Sequence, residues 1–429
     1  MINTPPRPVS IYPILSVNFV GTLGFSVVLP FLVFLVTRLG GNALVYGVMG
    51  ATYSFFQLIG APILGRMSDR YGRRRILLLS QLGTMVSWGV FLIALSLPVA
   101  PLVEVESAVT GAFTVTIPIL VLFFARALDG ITGGNVSVAN AYLADITEES
   151  ERSTNFGKMA ISGNLGFILG PALAGALGAT AWGEIPPVVA ALVISIVASL
   201  IIAFRLPETP CGAFKVSPER TTVRKVLGQE LKECYRLEGG PALATRDILG
   251  LPLIRLLLSL YFLVFLAFNF FYIAFPVHSA TSLDWSLAEI GAFFTFMGIL
   301  MVVVQGPILK RASEVWSERT LVIGGSLVLA VSFLFFTMDG KMPAYIGTTL
   351  LALGNGVMWP SLMALLSLAT DREQQGAVAS IVGLLVGGLL YGVLGTGVFF
   401  LAFAITMMVV LLGVSIPARA GAGFPAKLE

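Results

Sequence analysis

The feature that most constrains this chain is the recurrence of long apolar runs between short polar breaks. A helix needs about 20 apolar residues to cross the hydrocarbon of a bilayer. Twelve runs meet that length, at 12–36, 43–64, 75–97, 117–143, 156–180, 187–205, 253–277, 287–309, 319–338, 343–369, 376–395 and 397–416. The last two share one stretch, with Gly395–Gly397 as the turn between them. Only 11% of the 429 residues are charged, and the mean hydropathy is +0.92. A soluble domain carries about 25% charged residues, so this chain cannot cover a water-facing surface. The fold class expected is an all-α membrane protein of twelve transmembrane helices. The N-terminus, with Pro5, Pro6, Arg7 and Pro8, lacks the layout of a cleaved signal peptide.

Lys and Arg in short loops set orientation, because they are retained on the cytoplasmic side. With both termini in the cytoplasm, all but three of the 26 basic residues fall inside. The exceptions are Arg38 and Lys341 outside, and Arg126 within a span. A missed or extra span would put Arg66–Arg75 and Lys310–Arg319 on opposite sides. The net charge of +3 is small and dispersed, which argues against nucleic-acid binding. One His and no His/Cys cluster leave no basis for a metal site or cofactor. Cys211 and Cys234 share one polar loop and read as reduced cytoplasmic thiols.

That loop, residues 206–252, divides the chain six spans plus six: 1–205, the linker, and 253–429. Inside it Val223, Val226, Leu227, Leu231 and Cys234 recur at helical spacing, opposite Arg220, Arg224, Lys225, Lys232 and Arg236. A basic amphipathic helix on the inner leaflet and a solvated linker helix fit this pattern equally. The two halves repeat. Pro62 to Asp69 aligns with Pro307 to Glu314 at a constant offset of 245, with five of eight positions identical. Gly166, Gly170 and Gly175 match Gly383, Gly387 and Gly392 at an offset of 217. The longer loop between spans three and four explains the shift. Two pseudo-symmetric six-helix bundles follow.

Three motifs carry a family resemblance over nearly the whole chain. GRMSDRYGRRR, Gly65 to Arg75, is similar to G-x-L-x-D-R-x-G-R-R, with Met67 for Leu. RALDGITGG, Arg126 to Gly134, resembles the R-x-x-x-G motif of proton-driven exporters. GFILGPALAG, Gly166 to Gly175, resembles the antiporter motif G-x-x-x-G-P-x-x-G-G, with Ala174 for one Gly. Together they resemble the major facilitator superfamily, and within it the twelve-span drug:proton antiporters that include tetracycline exporters. Parallel six-span repeats of that superfamily place a site at the midplane between the halves. The resemblance implies export of small lipophilic compounds by proton antiport and alternating access, in the cell membrane, by a monomer. One departure stands out. Many such exporters carry an Asp nine residues before a Pro in span one, where this chain has Gly21 before Pro30. That supports a second reading, an uncoupled or differently coupled carrier of sugars, metabolites or lipids. A sensor or scaffold would carry large soluble extensions. An intramembrane enzyme would need a nucleophile, base or metal cluster, and none is visible.

The resemblance also implies roles. Gly65 and Gly72 allow a tight turn around Asp69, which by analogy caps span eleven. Arg70, Arg73 and Arg74 can pair with Asp145 or Glu148 and latch the outward-open state; the alternative, preferred for Arg75, is that the arginines only fix topology and bind anionic lipid. Arg126 and Asp129 are the only charges deep in a span, each costing about 2.5–3.5 kcal/mol at the bilayer centre. Three apart, they share a helix face and form either a proton relay or a permanent pair. Pro171 bends span five, while Gly166, Gly170 and Gly175 let it pack against the other half, as a hinge, a seal or plain close packing. Glu289 follows Ser286 in a capping box, and His278 reads as solvated at the outer end of span seven. Glu104, Glu106, Glu184 and Asp284 are outer-loop charges without an evident role. Spans 1, 4, 7 and 10 of this architecture line the cavity, helped by 2, 5, 8 and 11. In the first half that nominates Asn18, Phe25, Tyr53, Gln57, Asn140 and Asn164; in the second, Asn269, Tyr272, Gln305, Asn355 and Trp359. Any one amide can instead be glue between helices. As a set they suit a lipophilic, neutral or weakly cationic solute.

Overall fold

The computed structural model describes residues 10–107, 110–133, 135–147, 152–208, 252–366 and 390–417. The first half contains α1 (Tyr12–Arg38), α2 (Ala43–Tyr71), α3 (Arg73–Ser96), α4 (Ile117–Thr132), α5 (Asn135–Ile146), α6 (Arg152–Gly178) and α7 (Ile185–Arg205). The second contains α8 (Pro252–Thr281), α9 (Leu287–Val303), α10 (Leu309–Val315), α11 (Glu318–Phe335), α12 (Lys341–Leu366) and α13 (Gly397–Gly413). Nine helices among the described residues are long and apolar enough to cross a membrane, counting α9–α10 as one.

Local chemistry sets the helix ends. The Asn42 side chain accepts the Val45 N–H at 3.1 Å and opens α2. Gly72, at φ 100°, closes α2 and starts α3, a backbone conformation that side chains resist. Ser286 and Glu289 form the expected capping box at α9. Gly395, at φ 54°, makes the turn before α13.

Three features differ from the expected run of helices. The fourth span breaks after Gly133 into α4 and α5. The eighth continues to Val315 but passes through a π-turn at Val304–Ile308; Pro307 lacks the amide hydrogen an α-helix would use there. Residues 101–116 add an antiparallel hairpin, β1 (Pro101–Ser107) and β2 (Gly111–Thr116), to the helical fold. Alternating Val103 and Val105 suit a strand, and Pro98 and Pro101 exclude a helix there. The hairpin is tied to the α1–α2 turn: the Thr114 N–H donates to Gly40 at 2.8 Å, and the Asn42 amide donates to Thr110 at 2.8 Å. Span eleven falls mostly outside the described residues, as do the linker helix with Cys211 and Cys234, Glu148, and the repeat glycines Gly383 and Gly387.

Large apolar side chains point outward, including Phe124 at 62% exposed, and the interior is equally apolar. That inverts the economy of a soluble protein and fits a lipid surround. One buried cluster gathers second-half residues from Ile254 to Ile416. Another gathers first-half residues around Phe31, Trp88 and Phe91, and takes in Ile273, Val277 and Leu287 from the second half. The halves therefore share packing at the end that bears the hairpin. The opposite end carries Arg66–Arg75 and is the basic end of the molecule.

Candidate functional site

The centre of the first half is built on α4. Arg126 and Asp129 lie one turn apart, and Arg126 Nη1 stands 3.5 Å from Asp129 Oδ2. Their side chains are 5% and 7% exposed. The guanidinium sits over the rings of Tyr53 and Phe91, each centroid 5.5 Å away, an arrangement that offsets part of the desolvation of a buried cation. Thr84 of α3 hydrogen-bonds the Asp129 carboxylate. Gly130 and Gly60 make this fit possible: a Cβ on Gly60 would strike the Ile131 backbone, and one on Gly130 the Tyr53 backbone.

Asp129 opens onto a cavity of about 210 Å³ with Asn18, Phe25, Tyr53, Gln57, Gln81, Thr84 and Trp88. Asn164, Tyr272, Gln305, Asn355 and Trp359 line a different cavity of about 360 Å³ between the halves. Nine of the eleven nominated residues thus divide between two chambers instead of one. Asn140 and Asn269 line neither; the Asn269 amide donates to its own helix at Phe265. Asn18 is partly glue, since its amide donates to the Met159 carbonyl at 2.9 Å and the Ser162 hydroxyl at 2.8 Å. Gln57 donates to the Gly133 carbonyl at 3.2 Å. Asn164 and Gln305 meet across the halves at 3.4 Å. The larger chamber is walled by Phe265, Phe268, Phe294, Met297 and Met301, none of them nominated from sequence. Phe265, Phe268 and Tyr272 recur at helical spacing on α8, and that stripe was the available signal. Phe167 lines both chambers.

At the basic end Arg73 is 8% exposed. It pairs with Asp69 at 2.5 Å and Asp145 at 2.9 Å, and donates to the Ser68 hydroxyl at 2.7 Å. Asp69 therefore holds Arg73; its expected partner on span eleven lies outside the described residues. Arg74 does not reach Asp145. Its side chain donates to the carbonyls of Ile202 and Ala203, and its N–H donates to Glu208 at 3.0 Å. Arg70 stays on the exposed face of α2. Gly65 has open space where a Cβ would be, so close approach does not require glycine there.

The glycine motif of α6 serves two neighbours. Gly166 and Gly170 face α1 in the same half: the Ser26 hydroxyl donates to the Gly166 carbonyl at 2.9 Å, and Ser26 fills the space beside Gly170. This corrects the expectation that all three glycines meet the other half. Gly175 alone does so, against Gly291 and Ala288 of α9, together with the Pro171 carbonyl. Small residues permit this backbone contact, while their stripe does not say which helix will be met.

Two outer charges also differ from expectation. His278 is 4% exposed, because Tyr391 covers it with its hydroxyl 3.2 Å from Nδ1. Glu184 pairs with Arg38 at 2.6 Å, joining the ends of α7 and α1. Glu289, besides capping α9, pairs with Lys341 of α12.

Helical bundles repeated in sequence, a basic turn held by Arg73, and a chamber between the halves define a membrane transporter of small molecules. Residues 14–383 match the Major Facilitator Superfamily, and the chain belongs to that family. It is 29% identical to the Tetracycline resistance protein, class C, of Escherichia coli over 334 residues, which is 77% of this chain and 73% of that one. In fold it is similar to the human organic anion transporter MFSD10, with a TM-score of 0.66 and 22% identity over 96% of this chain and all of that one. A D-xylose-proton symporter superposes with a TM-score of 0.69 at 16% identity, again over 96% and 100%.

Proposed function

We propose that this chain exports small lipophilic, tetracycline-like compounds by proton antiport through alternating access. The observation that carries the reading is Asp129. Among the described residues it is the one carboxylate buried within a span, and it pairs loosely with a buried arginine. Such a group is costly in lipid and marks ion pathways. The names of the tetracycline-resistance relatives support the substrate class. The aromatic and thioether wall of the larger chamber suits it too.

Protonation of Asp129 from outside neutralises the partner of Arg126 and frees the guanidinium. Arg126 rests on Tyr53, Tyr53 packs on Phe25 at 5.5 Å, and Phe25 meets Phe167 edge-on at 6.1 Å. Phe167 lines the substrate chamber. The rings thus form a contiguous path from the protonation site to the substrate. Residues 1–205 and 253–429 act as the two tilting bodies, joined by 206–252, with both termini in the cytoplasm of a cell-membrane monomer. Arg73, held by Asp69 and Asp145, latches the basic end of the first half.

Uptake into inverted vesicles tests the coupling. Asp129→Asn should abolish pH-driven accumulation while leaving substrate binding in place; accumulation at the wild-type rate refutes the assignment. Gly21, standing where related exporters carry an acid, favours the second reading: a carrier of sugars, metabolites or lipids without proton coupling. Collapsing the pH gradient in proteoliposomes separates the two, since a facilitator would be indifferent.

A further inference from the structure

The smaller chamber contains two groups that the proposed exchange does not use. Gln81 and Trp88, two turns apart on α3, line it beside Thr84 and Asp129, and each is 2% exposed. Gln81 Oε1 and Trp88 Nε1 have no hydrogen-bond partner among the described residues. One is an acceptor and the other a donor, on two side chains that line one cavity. Buried polar groups in a span need partners, because lipid supplies none.

A single ligand class satisfies both. A metal cation cannot bind an indole N–H, and Arg126 already offsets the Asp129 charge. A lipophilic solute leaves both groups bare. Water donates to Gln81 and accepts from Trp88. A water takes about 30 Å³ of liquid volume, so a cavity of about 210 Å³ holds a small cluster. The ionisable groups facing Asp129 here are Arg126 on its own helix and Tyr53 on α2; Tyr46 of α2 lies near Arg126. From α1 and α3 come only amide, hydroxyl and indole groups. Phe25 and Phe167 separate this cell from the substrate chamber.

We propose that the smaller chamber holds a water cluster that bridges Gln81 and Trp88 to Asp129 and delivers the proton to that carboxylate by a route separate from the substrate. A water of the cluster gives its proton to an Asp129 oxygen and regains one from its neighbour, so no heavy-atom bond changes. The delivery role rests on Asp129 being the coupling residue; the presence of water does not.

Radiolytic hydroxyl labelling of the full-length protein in nanodiscs tests the water directly, since radicals form at bound water. Trp285 is the internal control, 3% exposed and enclosed by Phe275 and Phe293. Trp88 should be oxidised several-fold faster than Trp285, approaching the exposed Trp182. Equal protection of Trp88 and Trp285 overturns the proposal. In Gln81→Leu the labelling of Trp88 should fall several-fold, and pH-driven transport should slow in parallel while substrate affinity holds. Trp88→Phe, which keeps the packing, should slow transport the same way. Wild-type transport rates in both variants overturn the delivery route. If Asp129→Asn leaves pH-driven transport intact while Trp88 is labelled, the coupling assignment fails and the water stands.

Discussion

The seam between α6 and α9 makes a sharp test, because two backbones touch there without side chains between them. A Cβ on Gly291 would lie 2.6 Å from the Pro171 carbonyl oxygen and 2.7 Å from the Gly175 Cα. Carbon atoms rest about 3.5–4.0 Å apart, so Gly291→Ala must part the helices by roughly 1 Å. Neither obstacle is the tip of a flexible side chain, so no rotamer change relieves it. Overpacking of this kind costs about 1–3 kcal/mol. The control is Gly324→Ala on α11, where a Cβ meets nothing within 4 Å. There alanine should be neutral or stabilising by up to about 1 kcal/mol, the helix-propensity difference. Unfolding of the purified protein in mixed micelles measures both. Substrate affinity should fall with Gly291→Ala as well, since Pro171 and Gly298 on the same two helices line the larger chamber. Equal stability of Gly291→Ala and wild type would refute the claim that this contact holds the halves together.

Other expectations concern single interactions. Arg73→Ala strips Asp69 and Asp145 of their shared partner and should cost about 1.5–3 kcal/mol of stability, with Arg73→Lys recovering part of it; a thermal melt reads both. Glu289→Gln should cost less than about 1 kcal/mol, because its bridge to Lys341 is exposed and glutamine still completes the cap. Trp359→Ala should weaken binding of a lipophilic solute roughly tenfold or more, read by fluorescence titration, because its ring closes the chamber against Tyr261 and Phe265.

How far the sequence reveals this molecule depends on which physical signal each part leaves. Spans leave length and hydropathy, and these place the helices. The turn at Gly72 leaves a glycine followed by three arginines, and the structure bends there at φ 100°. The aromatic wall leaves almost nothing. In a chain that is apolar throughout, Phe265 facing a chamber and Phe124 facing lipid look alike to any hydropathy scale. Only the spacing along α8 separates them. The hairpin was hidden for the opposite reason: it belongs to no span, and its seven and six residues are too short to announce themselves. Gly166 and Gly170 showed that a backbone would come close, while α1 and α9 both remained possible neighbours.

The division into two chambers has a physical rationale that neither half shows alone. A carboxylate and a guanidinium inside lipid need polar neighbours and water to be tolerated. A lipophilic solute needs the reverse, a dry wall of rings and thioethers. Placed in one cavity, each requirement would spoil the other: water would weaken solute binding, and solute would strip the charges. Here Asp129 has Thr84, Gln57 and Arg126 around it, and the solute chamber has Phe265, Phe268 and Phe294, with no charged group and with Asn164, Gln305 and Asn355 as its amides. The two environments meet at Phe25 and Phe167. A ring at that boundary can transmit position without passing water or charge. Coupling by displacement of packed rings is therefore compatible with keeping the ion and the solute apart, and replacing Phe167 with alanine should leak protons before it loses solute binding.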